Sequence, residues 1–270
     1  MYANIVVHLF SYNILKGVCK FMNKKTVFIT GATSGIGLKM AEMCIQKGYE
    51  VYATGRNDSS LKTLQGLGAN VIRADLRNLS QIDEILTQLP DLDVVILNAG
   101  LGIFNTAHEL TDEQVKEMFD VNVHAPIYLA RKLAPKLIEK QKGHFIFISS
   151  QAGKVATKKA SVYAATKHAV TGFINGFRLE MQEHNIKVTG IYPGPIDTPF
   201  LHKADAQGAY REAIKNFLIL PEKVAAEVVK TIERPVREVN LPRVMGLTAK
   251  LYAIAPTAVE FIGKGFFNKK

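Results

Sequence analysis

The sequence predicts an α/β fold in which a mostly parallel, seven-stranded sheet is doubly wound, with a layer of helices on each face. Three observations lead to this prediction. From Thr26 onward, short β-branched runs alternate with longer segments of helical pattern. Strands such as Val94 to Leu97 are apolar without interruption, as a strand buried on both faces requires. Regular alternation of strand and helix is typical of a parallel sheet with crossover helices.

The elements can be placed in chain order. Strands are predicted at Thr26 to Thr30, Glu50 to Thr54, Asn70 to Ala74, Val94 to Asn98, Gly143 to Ser149, Lys187 to Tyr192 and, on a less regular pattern, Glu238 to Leu241. Helices are predicted at Gly35 to Lys47, Ser59 to Leu67, Leu79 to Gln88, Thr111 to Gln141, Ser161 to Asn185 and Pro221 to Glu233. Beyond the last strand, apolar positions from about Arg243 to Lys270 predict broken helices, split by Pro256, that form a lid or an oligomer contact.

Composition narrows the function classes. With 47% apolar and 21% charged residues among 270, the chain can bury a full core, so disorder is excluded. Two cysteines cannot build a disulfide framework, which favours a reducing compartment and the cytoplasm. No apolar run approaches the ~20 residues of a bilayer crossing, so no firm membrane insertion is expected. The seven histidines show no metal-ligand spacing, and no metal site is predicted.

The net charge of +10 admits a nucleic acid, a membrane surface or a phosphorylated small ligand as partner. No polycation tract or basic stripe supports nucleic acid. No repeat or low-complexity linker divides the chain, so residues 22–270 are predicted to form one catalytic domain. Residues 1–21 read as a poorly ordered extension, with Met22 as the alternative start. A short interfacial helix carrying Ile5, Leu9 and Tyr12 is the other interpretation.

A glycine motif follows the first strand directly. Its glycines are spaced four and then two residues apart, a pattern that allows a tight turn, close approach of a pyrophosphate and a free helix N-terminus. A simple strand-to-helix turn is the alternative. If the motif binds a dinucleotide, the contacting residues are Gly31, Thr33, Ser34, Gly35, Ile36 and Gly37.

The second strand ends at Gly55-Arg56-Asn57, where a dinucleotide fold that uses NAD usually carries an acidic residue. A guanidinium binds a 2′-phosphate, whereas a carboxylate would repel it. The sequence therefore predicts NADP(H) as the preferred cofactor, with NAD(H) as the second option. Arg56 carries this prediction and Asn57 assists. The alternative is an ordinary surface arginine.

Three further features follow later strands: Asn98-Ala99-Gly100 after the fourth, Ser149-Ser150 after the fifth, and Tyr163 with Lys167 in the next helix. Tyr163 and Lys167 are four residues apart and so share a helix face. A free tyrosine titrates near pH ~10, and a nearby ammonium favours the phenolate. This pair is therefore expected to perform acid/base chemistry.

Together these residues resemble the short-chain dehydrogenase/reductase family, a compact branch of the Rossmann folds. The resemblance covers roughly Lys24 to Pro242, and it includes the glycine motif, Asn98-Ala99-Gly100, Asn122, Ser150 and Tyr163-x-x-x-Lys167 in the family's order. Ser150 lies thirteen residues before Tyr163, the family's usual interval, which favours it over Ser149. Many NADP-using relatives carry a basic residue where this chain has Ser34, so the NADP preference depends mainly on Arg56.

The resemblance also implies residue roles. Ser150 binds the substrate oxygen, Tyr163 donates a proton to it, and Lys167 lowers the tyrosine pKa and binds the nicotinamide ribose. Asn122 holds a water that connects Lys167 to solvent, or is a core asparagine that kinks its helix. Asp75 and Leu76 contact the adenine, unless Asp75 only caps a helix. The turn after the sixth strand contacts the nicotinamide through Pro193, Gly194, Ile196 and Thr198, or is simply a rigid proline loop.

The predicted function is an NADP(H)-dependent oxidoreductase that interconverts a carbonyl and an alcohol by hydride transfer. Its pocket is expected to comprise Leu101 to Phe104, Gln151 to Val155 and Pro195 to about Phe217, whose apolar residues indicate a moderately hydrophobic small-molecule substrate. A cofactor-binding regulatory protein without turnover is the alternative. A hydrolase that uses Ser150 as nucleophile and Lys167 as base is disfavoured, because the chain has no Gly-x-Ser-x-Gly elbow around Ser150. A homodimer or homotetramer is expected, and the resemblance offers pairing through the long helices at Thr111 to Gln141 and Ser161 to Asn185 as one arrangement, which the sequence leaves open.

Overall fold

The computed structural model describes residues 24–205 and 208–264, and its centre is one sheet of seven strands. Their order across the sheet is β3-β2-β1-β4-β5-β6-β7, and every pairing is parallel. The predicted doubly wound fold is therefore confirmed, with a sheet that is parallel throughout. The strands are β1 (Thr26–Thr30), β2 (Glu50–Gly55), β3 (Asn70–Arg73), β4 (Val94–Leu97), β5 (Gly143–Ile148), β6 (Ile186–Pro193) and β7 (Glu238–Leu241).

Helices connect successive strands and continue beyond the last one. They are α1 (Gly35–Gln46), α2 (Asp58–Gly66), α3 (Leu79–Gln88), α4 (Asp112–Phe119), α5 (Ala125–Glu139), α6 (Ser161–Gln182), α7 (Pro199–Ala204), α8 (Ala209–Ile214), α9 (Pro221–Glu233), α10 (Arg243–Ile254) and α11 (Pro256–Ile262). The predicted break at Pro256 is confirmed, because α10 ends two residues before it. The two short helices α7 and α8 were not predicted.

Each face of the sheet carries its own hydrophobic core. In β1, Phe28 packs into one core, while its neighbours Val27 and Ile29 pack into the other, as the alternation of side chains along a strand requires. The Phe28 core includes residues of α3, α5 and α6, and the opposite core includes residues of α1, α2 and α9. Burial on both faces explains why the strands are continuously apolar.

The prediction of one continuous helix from Thr111 to Gln141 was wrong. The structure divides this segment into α4, a π-helical turn at Asp120–His124, and α5. Pro126 has no N–H to bond the carbonyl of Asn122, so the helical hydrogen-bond ladder lacks one bond at this point. Asn122 lies inside the turn and is buried. The interpretation of Asn122 as an asparagine that interrupts its helix therefore agrees with the structure.

Some expectations concern residues outside the described ranges. The N-terminal extension at residues 1–21, its interfacial-helix alternative and the end of the C-terminal tail from residue 265 all lie there. Within residues 24–205 and 208–264, no helix is both long and apolar enough to cross a membrane.

Candidate active site

A cavity of about 630 Å³ opens at the carboxyl ends of the strands, where the strand order reverses between β1 and β4. Such a reversal leaves a crevice in which doubly wound folds bind ligands. Among the predicted site residues, only Asn57 and Asn122 lie outside the lining. The others line this one cavity: Gly31, Thr33, Ser34, Gly35, Ile36, Gly37, Arg56, Asp75, Leu76, Asn98, Ala99, Gly100, Ser150, Tyr163, Lys167, Pro193, Gly194, Ile196 and Thr198.

The glycine loop packs tightly against the end of β4. Gly31 has a φ of +65°, and a Cβ there would lie 2.8 Å from the Cα of Ala99, so a side chain would be both strained and excluded. The Asn98 Nδ2 donates to the carbonyls of Thr30 at 2.8 Å and Gly31 at 3.1 Å. These bonds fix the loop so that the backbone N–H groups at the start of α1 face the cavity.

A network of charges surrounds the loops after β2 and β3. The Arg56 guanidinium lies 3.6 Å from the Asp75 carboxylate, and Arg77 pairs with both Asp75 and Glu117. Hydrogen bonds from Arg77 are the main reason that the pKa of Asp75 falls to about 2. Arg56 remains more than half exposed, so its guanidinium is accessible to a second anion.

Two asparagine side chains cap the helices at this end of the cavity, and they show whether Asn57 and Asp75 are helix caps. Asn57 caps α2 by accepting a hydrogen bond from the N–H of Ser60 at 2.8 Å, which directs its side chain to the helix rather than to the cavity. Asn78 caps α3 in the same way. Asp75 is therefore not the cap of α3, and its carboxylate lies among arginines on the cavity wall.

Ser150, Tyr163 and Lys167 come together at the other side of the crevice. Ser150 follows β5, and its hydroxyl shares a hydrogen bond with the Tyr163 phenol and accepts another from the N–H of Ala152 at 3.0 Å. Lys167 lies one helical turn after Tyr163 in α6, with its Nζ 5.9 Å from the phenol ring centroid. Ser149 instead bonds the Thr171 hydroxyl. This arrangement agrees with the choice of Ser150.

Burial dominates the ionisation of this pair. It raises the pKa of Tyr163 to about 12, an effect that the hydrogen bond from Ser150 only partly opposes. It also lowers the pKa of Lys167 to about 8. The Lys167 ammonium donates to the carbonyl of Ile148 at 3.2 Å rather than to the phenol. The expected lowering of the tyrosine pKa is therefore absent from this arrangement, because loss of hydration is the main influence on the phenol and only the Ser150 hydrogen bond acts to lower its pKa.

Asn122 ties the cavity floor to the π-helical turn. Its Oδ1 accepts from the N–H of Leu101 at 2.7 Å, and its Nδ2 donates to the carbonyl of Leu101 at 2.7 Å and to the Thr166 hydroxyl at 3.0 Å. A Cβ on Gly100 would lie 3.5 Å from Asn122 Oδ1 and 3.6 Å from Lys167 Nζ. The missing side chain at Gly100 leaves room for a small polar molecule between these two atoms.

Aromatic rings enclose the Tyr163 phenol. The ring of Phe104 lies 5.7 Å from that of Tyr163, edge to face, and the ring of Phe200 lies 5.9 Å away. A third ring, that of Tyr210, packs against Phe104 at 5.6 Å. These residues come from the loop after β4 and from α7 and α8, the regions predicted to form the substrate pocket.

One wall of the cavity was not predicted from the sequence. The lining residues after β7 are Pro242, Val244, Met245, Thr248, Tyr252, Val259 and Gly263. The tail was predicted only as a lid or an oligomer contact. Val244, Thr248 and Tyr252 recur every four residues, so they share one helix face, and this spacing could have indicated a common wall. Within the described part of the chain, no group of three His, Cys, Asp or Glu residues could hold a metal ion.

Comparison with known proteins settles the family. A family model for short chain dehydrogenases matches residues 25–209. The chain belongs to the short-chain dehydrogenase family. This confirms the resemblance based on the glycine motif and the Ser-Tyr-Lys set, and it confirms that the protein is an oxidoreductase.

Two curated relatives of this short-chain dehydrogenase show how far the similarity extends. The chain is 37% identical to the NADP-dependent 3-hydroxy acid dehydrogenase YdfG of Salmonella typhi over 178 residues. This alignment covers 63% of the chain and 72% of the relative. The chain is 32% identical over 231 residues to an uncharacterized oxidoreductase of Staphylococcus aureus, covering 82% of this chain and 95% of the relative.

Solved structures support the same assignment. The closed form of a serine dehydrogenase complexed with NADP+ superposes with a TM-score of 0.74 at 31% identity, covering 80% of this chain and 93% of that one. A short-chain dehydrogenase from Sphingobium yanoikuyae in complex with NADPH superposes with a TM-score of 0.75 at 23% identity, covering 86% and 95% of the two chains. The second likeness concerns the fold alone.

Proposed function

We propose that this short-chain dehydrogenase uses NADP(H) to interconvert a carbonyl and an alcohol, with Ser150, Tyr163 and Lys167 as its catalytic residues. One observation carries the proposal: a single cavity joins these three side chains to the glycine loop and to Arg56. An anion-binding loop and a proton donor are the two parts that a nicotinamide-dependent reduction needs.

The cofactor cradle fits a dinucleotide phosphate. The loop from Gly31 to Gly37 presents the N-terminus of α1 to a pyrophosphate, and Arg56 offers a half-exposed guanidinium to a 2′-phosphate. Asp75 and Leu76 lie on the wall where the adenine is expected. The Salmonella relative is named as NADP-dependent, and the serine dehydrogenase structure holds NADP+, in agreement with this preference. NAD(H) can occupy the same cradle without the Arg56 contact.

The residues at the opposite end act on the substrate oxygen. The Ser150 hydroxyl binds that oxygen and orients it toward Tyr163, whose phenol keeps its proton at neutral pH because burial raises its pKa to about 12. This proton passes to the substrate oxygen as the carbonyl is reduced. A nicotinamide cofactor, when bound, supplies the hydride. Ile196 and Thr198 lie on the wall where the nicotinamide carboxamide would be held.

Lys167 and Asn122 form part of the path by which a proton returns from solvent to the active site. The Lys167 ammonium, with a pKa lowered to about 8, can release and regain a proton close to neutral pH. A water in the space beside Gly100 would lie within reach of Lys167 Nζ and Asn122 Oδ1. We therefore assign Asn122 as a positioning residue for a proton path, in addition to its bonds with Leu101.

Substrate, assembly and location belong to the same proposal. The two named relatives are a 3-hydroxy acid dehydrogenase and a serine dehydrogenase. We propose a homodimer or homotetramer that pairs through the segments around α4, α5 and α6. A cytoplasmic location agrees with the few cysteines, of which Cys44 is buried and free.

Tyr163→Phe tests the reaction. We expect the variant to lose carbonyl reduction by about 100-fold or more, since a general acid contributes roughly that factor, and to bind NADPH as the wild type does. Tyr128→Phe is the matched control, because Tyr128 lies on α5 and donates to Asp83 outside the cavity. NADPH oxidation with a panel of ketones and aldehydes gives the rates, and NADPH fluorescence gives binding.

Two outcomes would contradict the proposal. Full activity in Tyr163→Phe would remove the proposed proton donor. NADPH binding without turnover of any carbonyl by the wild type would instead favour a regulatory protein of the same fold.

A further inference from the structure

We infer that the substrate is an uncharged, lipophilic carbonyl compound whose non-reacting part lies beneath α10 and α11, and that carboxylate-bearing substrates are rejected. The inference rests on the proposed function and narrows it. Three observations carry it: the apolar surroundings of Tyr163, the wall formed by the C-terminal helices, and the distribution of charges along the cavity.

Aromatic side chains pack near the Tyr163 ring. Phe104 and Phe200 place their rings within 6 Å of the Tyr163 ring centroid. The N–H of Phe104 donates to the carbonyl of Ala204 at 2.9 Å, which joins the loop after β4 to α7 and holds both rings in place. A substrate bound here exchanges water for aromatic and aliphatic contacts.

The C-terminal helices extend this apolar wall away from Tyr163. Met245, Tyr252 and Val259 line the cavity from α10 and α11. At its edge, Phe217 and Val244 also line the cavity yet are 58% and 61% exposed, so the rim that meets solvent is apolar as well. An alkyl or aryl chain attached to the carbonyl would bury its carbon atoms along this wall.

Charged side chains are confined to the rest of the cavity. Among the described residues, those that line it are Arg56, Asp75, Glu117 and Lys167. The first three belong to the paired network around Arg77 at the ends of β2 and β3. Lys167 is directed at the carbonyl of Ile148. In the described lining, therefore, no cation belongs to the wall formed by α7, α8, α10 and α11.

Two polar side chains near that wall, Gln151 and Lys154, already have partners. The side-chain amide of Gln151 donates its two hydrogens to the carbonyl of Tyr192 at 2.7 Å and to Asn240 Oδ1 at 3.0 Å. The Lys154 ammonium donates to Glu238 and to Asn240, each at 2.9 Å. Recruiting either side chain to a substrate carboxylate would break these bonds.

The consequence is a selectivity against charge. Burying a carboxylate without a cation or free donors is strongly unfavourable, whereas burying an ester or an alkyl chain of similar size is favourable. The substrate class suggested by the names of the relatives is thus disfavoured in this chain. The same wall favours substrates with longer alkyl chains, because each methylene group removed from water makes binding more favourable.

A matched substrate series tests the inference in the full-length enzyme with NADPH. The probes are 3-oxobutanoate, its ethyl ester, and the ethyl esters of 3-oxohexanoate and 3-oxooctanoate, which present the same reacting ketone. We expect kcat/KM for the ethyl ester to exceed that for the acid by at least about 100-fold. Among the three esters, kcat/KM should rise about four-fold for each added methylene, until the alkyl chain spans the apolar wall.

Two variants locate the wall. Val259→Ala should lower kcat/KM for ethyl 3-oxooctanoate by about four-fold or more, because it removes buried carbon contacts. The kcat/KM for ethyl 3-oxobutanoate should stay nearly unchanged. Ile262→Ala is the matched control on the same helix, since Ile262 is 84% exposed and lies outside the lining. Equal effects of the two substitutions would overturn the placement of the substrate chain.

The outcomes separate this inference from the proposed function. Reduction of the acid as efficiently as of its ester would overturn the substrate class and leave the reaction intact. Failure of the wild type to reduce any ester of the series, while it reduces another carbonyl of the ketone and aldehyde panel, would overturn the inference alone. Absence of turnover with both the series and the panel, despite NADPH binding, would overturn the proposed function and the inference with it.

Discussion

Replacing Lys167 by methionine removes a buried ammonium whose loss of hydration lowers its pKa from an ordinary 10.5 to about 8. At one pKa unit per ~1.4 kcal/mol, the charged form costs the folded protein about 3 kcal/mol. Methionine restores the apolar volume but loses the charged hydrogen bond to the carbonyl of Ile148, worth about 2 kcal/mol. We therefore expect the variant without cofactor to be more stable than the wild type by about 1 kcal/mol at neutral pH.

The sign of the pH dependence follows from the two proton affinities. Between pH 8 and 10.5 the unfolded wild type keeps the Lys167 proton and the folded wild type has lost it. Stability of the wild type therefore rises with pH through this window, relative to the variant. The advantage of Lys167→Met should be largest below pH 8 and should shrink by about 3 kcal/mol toward pH 10.5. The raised pKa of Tyr163 affects both proteins alike and cancels.

Guanidinium unfolding of the cofactor-free proteins at several pH values measures this difference. Lys223→Met is the control, because Lys223 is exposed on α9 and its replacement should change stability little at any pH. A Lys167→Met difference that stays constant from pH 7 to pH 10.5, or a wild type that is the more stable protein at neutral pH, would refute the argument that burial sets the charge of Lys167.

Two further predictions concern the cofactor and the cavity floor. Arg56→Asp should raise KM for NADPH by about 10-fold to 100-fold, because a charge-assisted hydrogen bond to the 2′-phosphate is replaced by repulsion. The KM for NADH should change little. An equal rise in KM for both cofactors would return Arg56 to an ordinary surface role. Asn122→Leu should lower the free energy of unfolding by about 2–4 kcal/mol, because the N–H and carbonyl of Leu101 lose their partner. A loss below about 1 kcal/mol in denaturant unfolding would contradict this account of Asn122.

Local patterns in the sequence were sufficient for the sheet and most of the helices. Residue alternation and apolar runs specify strands such as β4 because both faces are buried, and the glycine motif specifies its own turn. The prediction of one helix from Thr111 to Gln141 was wrong at the π-helical turn, where Pro126 removes one bond of the ladder and Asn122 bonds Leu101, which is distant in sequence. Asn57 was likewise assigned to the cofactor although its side chain caps α2.

The sequence by itself determined the fold class and predicted the dinucleotide loop and the Ser150, Tyr163 and Lys167 set, because each depends on residue types at short, fixed spacings. Only the tertiary structure decided the ionisation of Tyr163 and Lys167, since burial is a property of the whole packing and is the main cause of both pKa shifts. It alone also brought α10 and α11 over the cavity. Long-range contacts, rather than local pattern, therefore define which substrates the site can accept.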